Sequence, residues 1–334
     1  MSSNRRKGLW LAALFAAVLL ACVVHLARGG GSEHVGVLDV VPQLLRGNVG
    51  GDTANVIVWE IRMPRMLAAL LAGAILGAVG AAFQSYFRNP LAEPYVIGVS
   101  SGAGLGGTVA VVLGLTQSLF TLGPIVLAFL GGVGSLALVV ALSRRHGGVQ
   151  VHTLLLAGVV VSAMLSALMT TVLMLGGEDT GRVLKWLLGS LSPVFAERLW
   201  AMAIVLGLGL ALLQTQTRAL NAFSVGEFTS ERLGIDPRRL STIVLLTGTA
   251  MVSVAVGAVG IIGFLGLMGP HIARRVVGLD LRFSLVASAM VGGVILLFAD
   301  LVAQNLKAGV ELPVGAVTAL IGAPALLWLL KRSG

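Results

Sequence analysis

Few residues in this chain could do chemistry. Its four lysines are followed by Gly8, Trp186, Ala308 and Arg332, so no Gly-Lys-Ser/Thr phosphate cradle can form and the chain has no ATPase site of its own. Five scattered histidines (His25, His34, His146, His152 and His271) lack metal-ligand spacing, and no Ser/His/Asp set accompanies them. The single cysteine, Cys22, excludes an internal disulfide framework and a CxxC metal or redox site. No metal or bound cofactor is expected, and an enzyme has no supporting constellation. A solute moved uphill by such a chain must draw on an ion gradient or on another subunit. Ion coupling usually leaves ionisable residues near mid-membrane. Here the apolar runs are nearly free of them, with Asp300 close to one run's end and Gln84, Gln304 and Asn305 neutral. An ion-coupled secondary transporter is therefore the runner-up reading.

The most informative polar stretch is about 215–239. Ser224-Val225-Gly226-Glu227 fits a capping box, Gly234 after Leu233 reads as a helix stop, and Pro237 blocks continuation. Leu220, Phe223, Phe228, Leu233 and Ile235 make a short amphipathic unit, with Glu227, Glu231 and Arg232 on its polar side. An acidic pair on a helix lying on headgroups would be repelled by anionic lipid, which favours a docking knob for a cytosolic partner over a membrane-surface helix.

The elements that must carry these residues follow from composition. Of 334 residues, 57% are hydrophobic and 11% charged, against roughly 25% charged in a soluble domain. Mean hydropathy is +0.97. This balance excludes a water-soluble globule and indicates an all-α polytopic membrane protein forming a single permease domain over 1–334. Apolar runs fall at about 9–27, 64–86, 96–114, 122–142, 152–175, 196–214, 240–258, 260–277, 283–303 and 313–330. The charge-free stretch from 240 to 277 is too long for one crossing and must fold back near Gly257, Gly260 and Gly263. Repeated small residues such as Gly73 to Gly77 read as helix contacts. The first run, after Arg5–Lys7, resembles a signal sequence and Leu19–Cys22 a lipoprotein box, but the run continues through Leu26 and reads as an uncleaved helix. With the N-terminus inside, alternate loops hold 15 inner and 8 outer Lys/Arg residues, so both termini are expected in the cytoplasm. The net charge of +9 is thereby topogenic, with no nucleic-acid stripe.

Several motifs carry a resemblance. Arg62-Met63-Pro64-Arg65, Gln84, Arg88-Asn89-Pro90-Leu91-Ala92-Glu93-Pro94 and Gly98-Val99-Ser100-Ser101-Gly102-Ala103 resemble the permeases of iron-siderophore, haem and cobalamin ABC importers (FecCD/BtuC type). So do Trp186–Leu191, Gly263–Arg274, Glu311–Gly315 and Thr318–Pro324, in family order from about residue 56 onward. The resemblance implies a ten-helix inner (plasma) membrane subunit that works as a homodimer. Two cytosolic ATPase subunits would consume ATP, and a periplasmic or lipid-anchored binding protein would deliver a large metal chelate, iron-siderophore first, then haem or cobalamin. It further implies docking of that protein on Arg62 and Arg65, pointing outward from one helical entrance. The family's third such arginine falls at Gln304, with Lys307 one turn later as its substitute. ATPase coupling would lie on Leu220, Phe223, Gly226, Glu227, Phe228, Leu233 and Gly234, and a cytoplasmic gate at Asn89, Leu91, Val151 and His152. His271, beside Pro270, reads as structural.

Overall fold

The computed structural model describes residues 3–30, 36–48, 52–115, 121–145, 148–149, 151–176, 180–192, 194–306 and 311–333. It opens with α1 (Ser3–Arg28), α2 (Val37–Arg46) and α3 (Thr53–Val56), then a π-helical stretch, Ile57–Arg62, that runs into α4 (Met63–Tyr86). There follow α5 (Val99–Val112), α6 (Gly123–Ser143), α7 (Val151–Leu175), α8 (Thr180–Leu187) and α9 (Ala196–Thr215). The short α10 (Thr217–Val225) and α11 (Glu227–Arg232) precede α12 (Pro237–Val259), α13 (Leu265–Val277), α14 (Leu281–Asn305) and α15 (Val314–Ser333). Between α6 and α7, β1 (Arg144–Arg145) and β2 (Gly148–Val149) pair antiparallel, the only strands among the described residues.

Every apolar run read from the sequence coincides with a helix, and among the described residues seven helical segments are long and apolar enough to cross a bilayer. The helices α5 and α13 hold only 14 and 13 residues, about 20 Å each against a ~30 Å core. Non-helical backbone at 87–98 and 260–264 adjoins them. Ala92, Ile97 and Ile262 in these segments are buried in protein, the setting in which irregular backbone is tolerated at membrane depth. Peripheral helices turn large apolar side chains outward, among them Leu20 on α1, Leu156 on α7 and Leu208 on α9. A helix apolar on its exposed face suits lipid and not water.

The centre of the bundle is α4, with Phe83, Ile75 and Val79 fully buried. It crosses α14 at glycine: Gly73 and Gly77 lie against the backbone of Gly292 and Ser288, where an added Cβ would strike a carbonyl oxygen. This is the small-residue contact expected from Gly73 to Gly77. Two expectations need correction. The fold-back falls at 260–264, with Gly260 (φ 78°) and Gly263 inside it, whereas Gly257 stays inside α12 against Ile125 and Pro124. The capping box at Ser224 does not form. Gly226, at φ 156°, breaks the chain and precedes α11, while Ser224 Oγ donates to the Asn221 carbonyl at 2.7 Å. The stop at Gly234 (φ 78°) is present, and Pro237 opens α12 behind Asp236, whose carboxylate caps the Arg238 N–H at 2.9 Å.

Candidate functional site

Opposite ends of the bundle are tied differently. One end gathers the C-terminus of α1, the start of α4, the end of α14 and Glu311. Arg65 Nε and Nη2 donate to both oxygens of Asp300 at 2.9–3.2 Å, and Nη1 donates to Glu311 at 2.9 Å. His25 Nε2 donates to Asp300 at 2.9 Å and Gln304 Nε2 at 2.6 Å, while Gln304 Oε1 accepts the Gly30 N–H at 2.6 Å. Arg62 Nη1 donates to the carbonyls of Leu26 and Ala27 at 2.8 and 3.0 Å, closing the C-terminus of α1.

These positions revise the outward-pointing arginines. Arg62 is 3% exposed and Arg65 8%, so both guanidiniums are turned into the protein. Arginine suits this duty, because its planar fork meets a carboxylate bidentately. The one exposed member of the cluster is Glu311, whose side chain is 47% accessible. Gln304 spends both ends of its amide internally, and Lys307 lies outside the described residues.

Beside this cluster, two of the sequence motifs and the turn after α12 are stitched into one unit by their backbones. Ser190 N–H donates to Val259 at 2.9 Å, and Ile261 N–H to Leu187 at 3.3 Å. Val314 and Gly315 N–H donate to Gly189 and Leu188, both at 3.1 Å. Gly189 (φ 85°) and Gly260 approach so closely that a side chain at Gly260 would meet the Trp186 carbonyl.

The other end holds the start of α1 and the 217–237 segment. Leu220 and Phe223, read as coupling residues, are fully buried and bind the segment to its own chain. The Phe223 ring stacks on Tyr86 (5.3 Å between centroids, 8° between planes), and the Arg88 guanidinium lies 5.5 Å from the same ring. Tyr86 Oη donates to Ser241 at 2.8 Å, reaching α12. Asn221 clamps α14, its Nδ2 donating to Asp280 at 2.9 Å and its Oδ1 accepting the Leu281 N–H at 3.0 Å. Asp280 caps α14 and is chelated by Arg282 at 2.7–3.1 Å, with Lys7 Nζ 3.9 Å away. The Arg282 guanidinium, helped by Asn221, pulls the Asp280 carboxyl down to about 2. The segment presents Val225 (77% exposed) and Leu233 (68%) to the outside. Glu227 and Phe228 belong to α11, but their side chains lie outside the described residues.

One residue after Arg88 (φ 50°), the loop that joins α4 to α5 turns at Asn89. Asn89 Oδ1 accepts the Leu91 N–H at 2.9 Å, and Leu91 is 39% exposed. Gln84 Nε2 donates to the Gly266 carbonyl at 2.9 Å, fixing α4 to α13 just before the loop. Further along, the Glu93 carboxylate accepts the Phe264 N–H, and Phe264 takes φ 68° where α13 begins. On α7, Val151 is buried and His152 exposed, so the two neighbours face different surroundings. Sequence reading missed the His25–Asp300 and Asn221–Asp280 pairs and Glu93. The available signal was a polar residue near an apolar run's end.

A helical bundle with a buried ionic tie at one end and a short helical outcrop at the other has the build of a multi-pass membrane protein. The chain belongs to the FecCD transport family, whose profile matches residues 17–332. It is 36% identical over 327 residues to an uncharacterized ABC transporter permease, YvrB, of Bacillus subtilis, covering 94% of this chain and 91% of that one. It is 38% identical over 280 residues to the cobalamin import permease BtuC of Halobacterium salinarum, covering 84% and 74%. Among solved structures, a protein described as a metal-chelate type ABC transporter in an inward-facing conformation superposes with TM-score 0.83 at 30% identity, covering 98% and 99% of the two chains.

Proposed function

We propose that the chain forms half of a dimeric pathway that carries a large metal chelate across the inner membrane. Two cytosolic ATPase subunits drive it, and an external binding protein loads it. In this reading ten helices span the bilayer, both termini and the 217–237 segment face the cytoplasm, and the Arg65 end faces outside. Supporting this arrangement, Lys7 and Asn221 both meet Asp280, so the N-terminus and the segment share one end. Relatives named for cobalamin import favour a corrinoid over an iron-siderophore or haem, for which no residue here speaks.

The observation that carries the coupling assignment is the Phe223 contact. A push on the exposed tip of the segment, Val225 and Leu233, acts through Phe223 on Tyr86 and Arg88, immediately ahead of the gate loop at Asn89 and Leu91. On the outside, docking through Arg65 requires a carboxylate of the binding protein to replace Glu311, since Asp300 is inaccessible. Lys307 would add to the same surface, while Arg62 holds the C-terminus of α1 behind it.

The test is uptake in proteoliposomes holding the permease with its ATPase subunits and binding protein. Cobalamin uptake that stops without ATP supports the reading, and uptake by the lone permease under an ion gradient refutes it in favour of secondary transport. Uptake of ferric siderophore but not cobalamin would correct the substrate alone.

A further inference from the structure

At the Asn221 end, the facing walls of α6 and α12 part into a cleft of about 800 Å³, within the ~300–1,000 Å³ range of small-molecule sites. Its deep walls are apolar, built from Val133, Leu136 and Val140 on α6 and Leu245 and Leu246 on α12, with the Tyr86 and Phe223 rings beside them. Its mouth is ionic: Arg144, Arg238, Glu231 and Asp236 all line it, and all four are exposed.

Depth and chemistry change together along this cleft. From Arg144 back to Val133 is eleven helical steps, about 16 Å at 1.5 Å per residue. Arg144 directly follows the end of the 21-residue α6, and Arg238 lies in the first turn of α12. The mouth therefore sits where a span leaves the hydrocarbon, and the walls lie at acyl-chain depth. An occupant must be a long apolar chain with a charged head, and the head must satisfy both signs. Two guanidiniums suit a phosphate. Two carboxylates, one already accepting the Arg238 N–H, would repel a purely anionic head and accept from a primary ammonium, which has three N–H donors. A quaternary ammonium has none.

We propose that this cleft binds a phospholipid with a phosphoethanolamine headgroup, the phosphate between Arg144 and Arg238 and the ammonium toward Glu231 and Asp236. One acyl chain runs up between α6 and α12 past Phe223. The lipid thereby fills the space behind the 217–237 segment, beside the Phe223–Tyr86 stack that lines the cleft. This site is separate from the translocated solute and stands whatever that solute is.

Native mass spectrometry of the detergent-purified permease, titrated with phosphatidylethanolamine, phosphatidylglycerol and phosphatidylcholine of identical acyl chains, tests it. The wild type should retain phosphatidylethanolamine about tenfold better than the other two, the worth of one charge-assisted contact. Arg144→Ala with Arg238→Ala removes only exposed side chains and should weaken retention of all three lipids, whereas Glu231→Gln, which removes a carboxylate facing the ammonium, should abolish the preference while the protein stays monodisperse. Ala137→Trp, which fills the cleft from its exposed rim, should displace the retained lipid. Equal retention of all three lipids, preference for phosphatidylglycerol, or unchanged binding by these variants would overturn the proposal. So would loss of the lipid when ATPase subunits bind, because the cleft would then belong to that interface.

Discussion

Removing the Asp300 carboxylate strikes the only group that Arg65, His25 and Gln304 share. Asp300 is fully buried and accepts from all three, on two neighbouring helices and its own. Asp300→Ala leaves a guanidinium that is 8% exposed with Glu311 alone, a buried histidine without its carboxylate, and a glutamine amide unpaired. Breaking one side of a buried ion pair costs about 3–5 kcal/mol, and Asp300→Ala should reach the upper part of that range. Asp300→Asn keeps one acceptor oxygen but aims an N–H at a donor, so about 1–3 kcal/mol is expected. Replacing the pair together, Arg65→Met with Asp300→Leu, should lose less than Asp300→Ala alone, since no charge is then stranded. Thermal unfolding in one detergent of the wild type, Arg65→Met, Asp300→Leu and the double variant, read as a double-mutant cycle with Asp300→Ala and Asp300→Asn beside it, measures this. Strictly additive losses, or a double variant worse than either single one, would refute the view that the cluster is an internal tie.

The remaining expectations use the same reasoning. Glu311→Ala frees Arg65 Nη1 and should strengthen association of the binding protein in a direct binding assay; weaker association would remove Arg65 from that surface. Gly73→Leu drives a side chain into the Gly292 carbonyl and should cost about 1–3 kcal/mol or more, seen as lower melting temperature and poor yield. Asn221→Ala cuts both bonds to α14 and should lower uptake while the complex still hydrolyses ATP. Asp280 is held at about 2, below its ordinary value of ~3.9. Its ionised form therefore adds stability that is complete above about pH 4 and fades as pH falls toward about 2. Wild type and Asp280→Asn should differ in melting temperature by a constant amount from about pH 5 to 8 and converge in acid; a gap that grows in acid would contradict the sign.

Much of the fold was legible because a bilayer leaves a coarse signal. Each crossing needs about 20 apolar residues, and every such run became a helix. The small-residue pattern at Gly73 and Gly77 was readable for a related reason, since only glycine lets the α4 and α14 backbones touch. The ionic tie was not legible. Arg65 and Asp300 are 235 residues apart and His25 and Asp300 are 275 apart, so no local periodicity links them. An arginine at a helix entrance looks the same whether it faces solvent or a carboxylate from another helix. What covers Leu220 and Phe223 was equally illegible. An amphipathic segment must bury its apolar face, but hydrophobicity does not say whether the cover is another subunit or Tyr86 of the same chain. The failed capping box has a local cause: Gly226 takes a φ that side chains avoid, and the break falls there instead of at Ser224.

The division between anchored and loosely held elements bears on how an outside push can open a pathway. The α10 helix grips two helices, α4 through Phe223 and Tyr86 and α14 through Asn221, and Tyr86 in turn bonds Ser241 of α12. Glycine contact at Gly73 and Gly292 leaves α4 and α14 no play against each other, and Asp300 fixes their far ends through Arg65. Force on Val225 or Leu233 therefore reaches this core as one body. In contrast, α7 leaves most of its residues uncovered by the chain, whereas α4 is largely buried. Asn89 and Leu91 hang from the core, whereas Val151 and His152 begin α7. If these two pairs form the gate proposed above, it would open when core and α7 move relative to each other, so neither helix would have to bend.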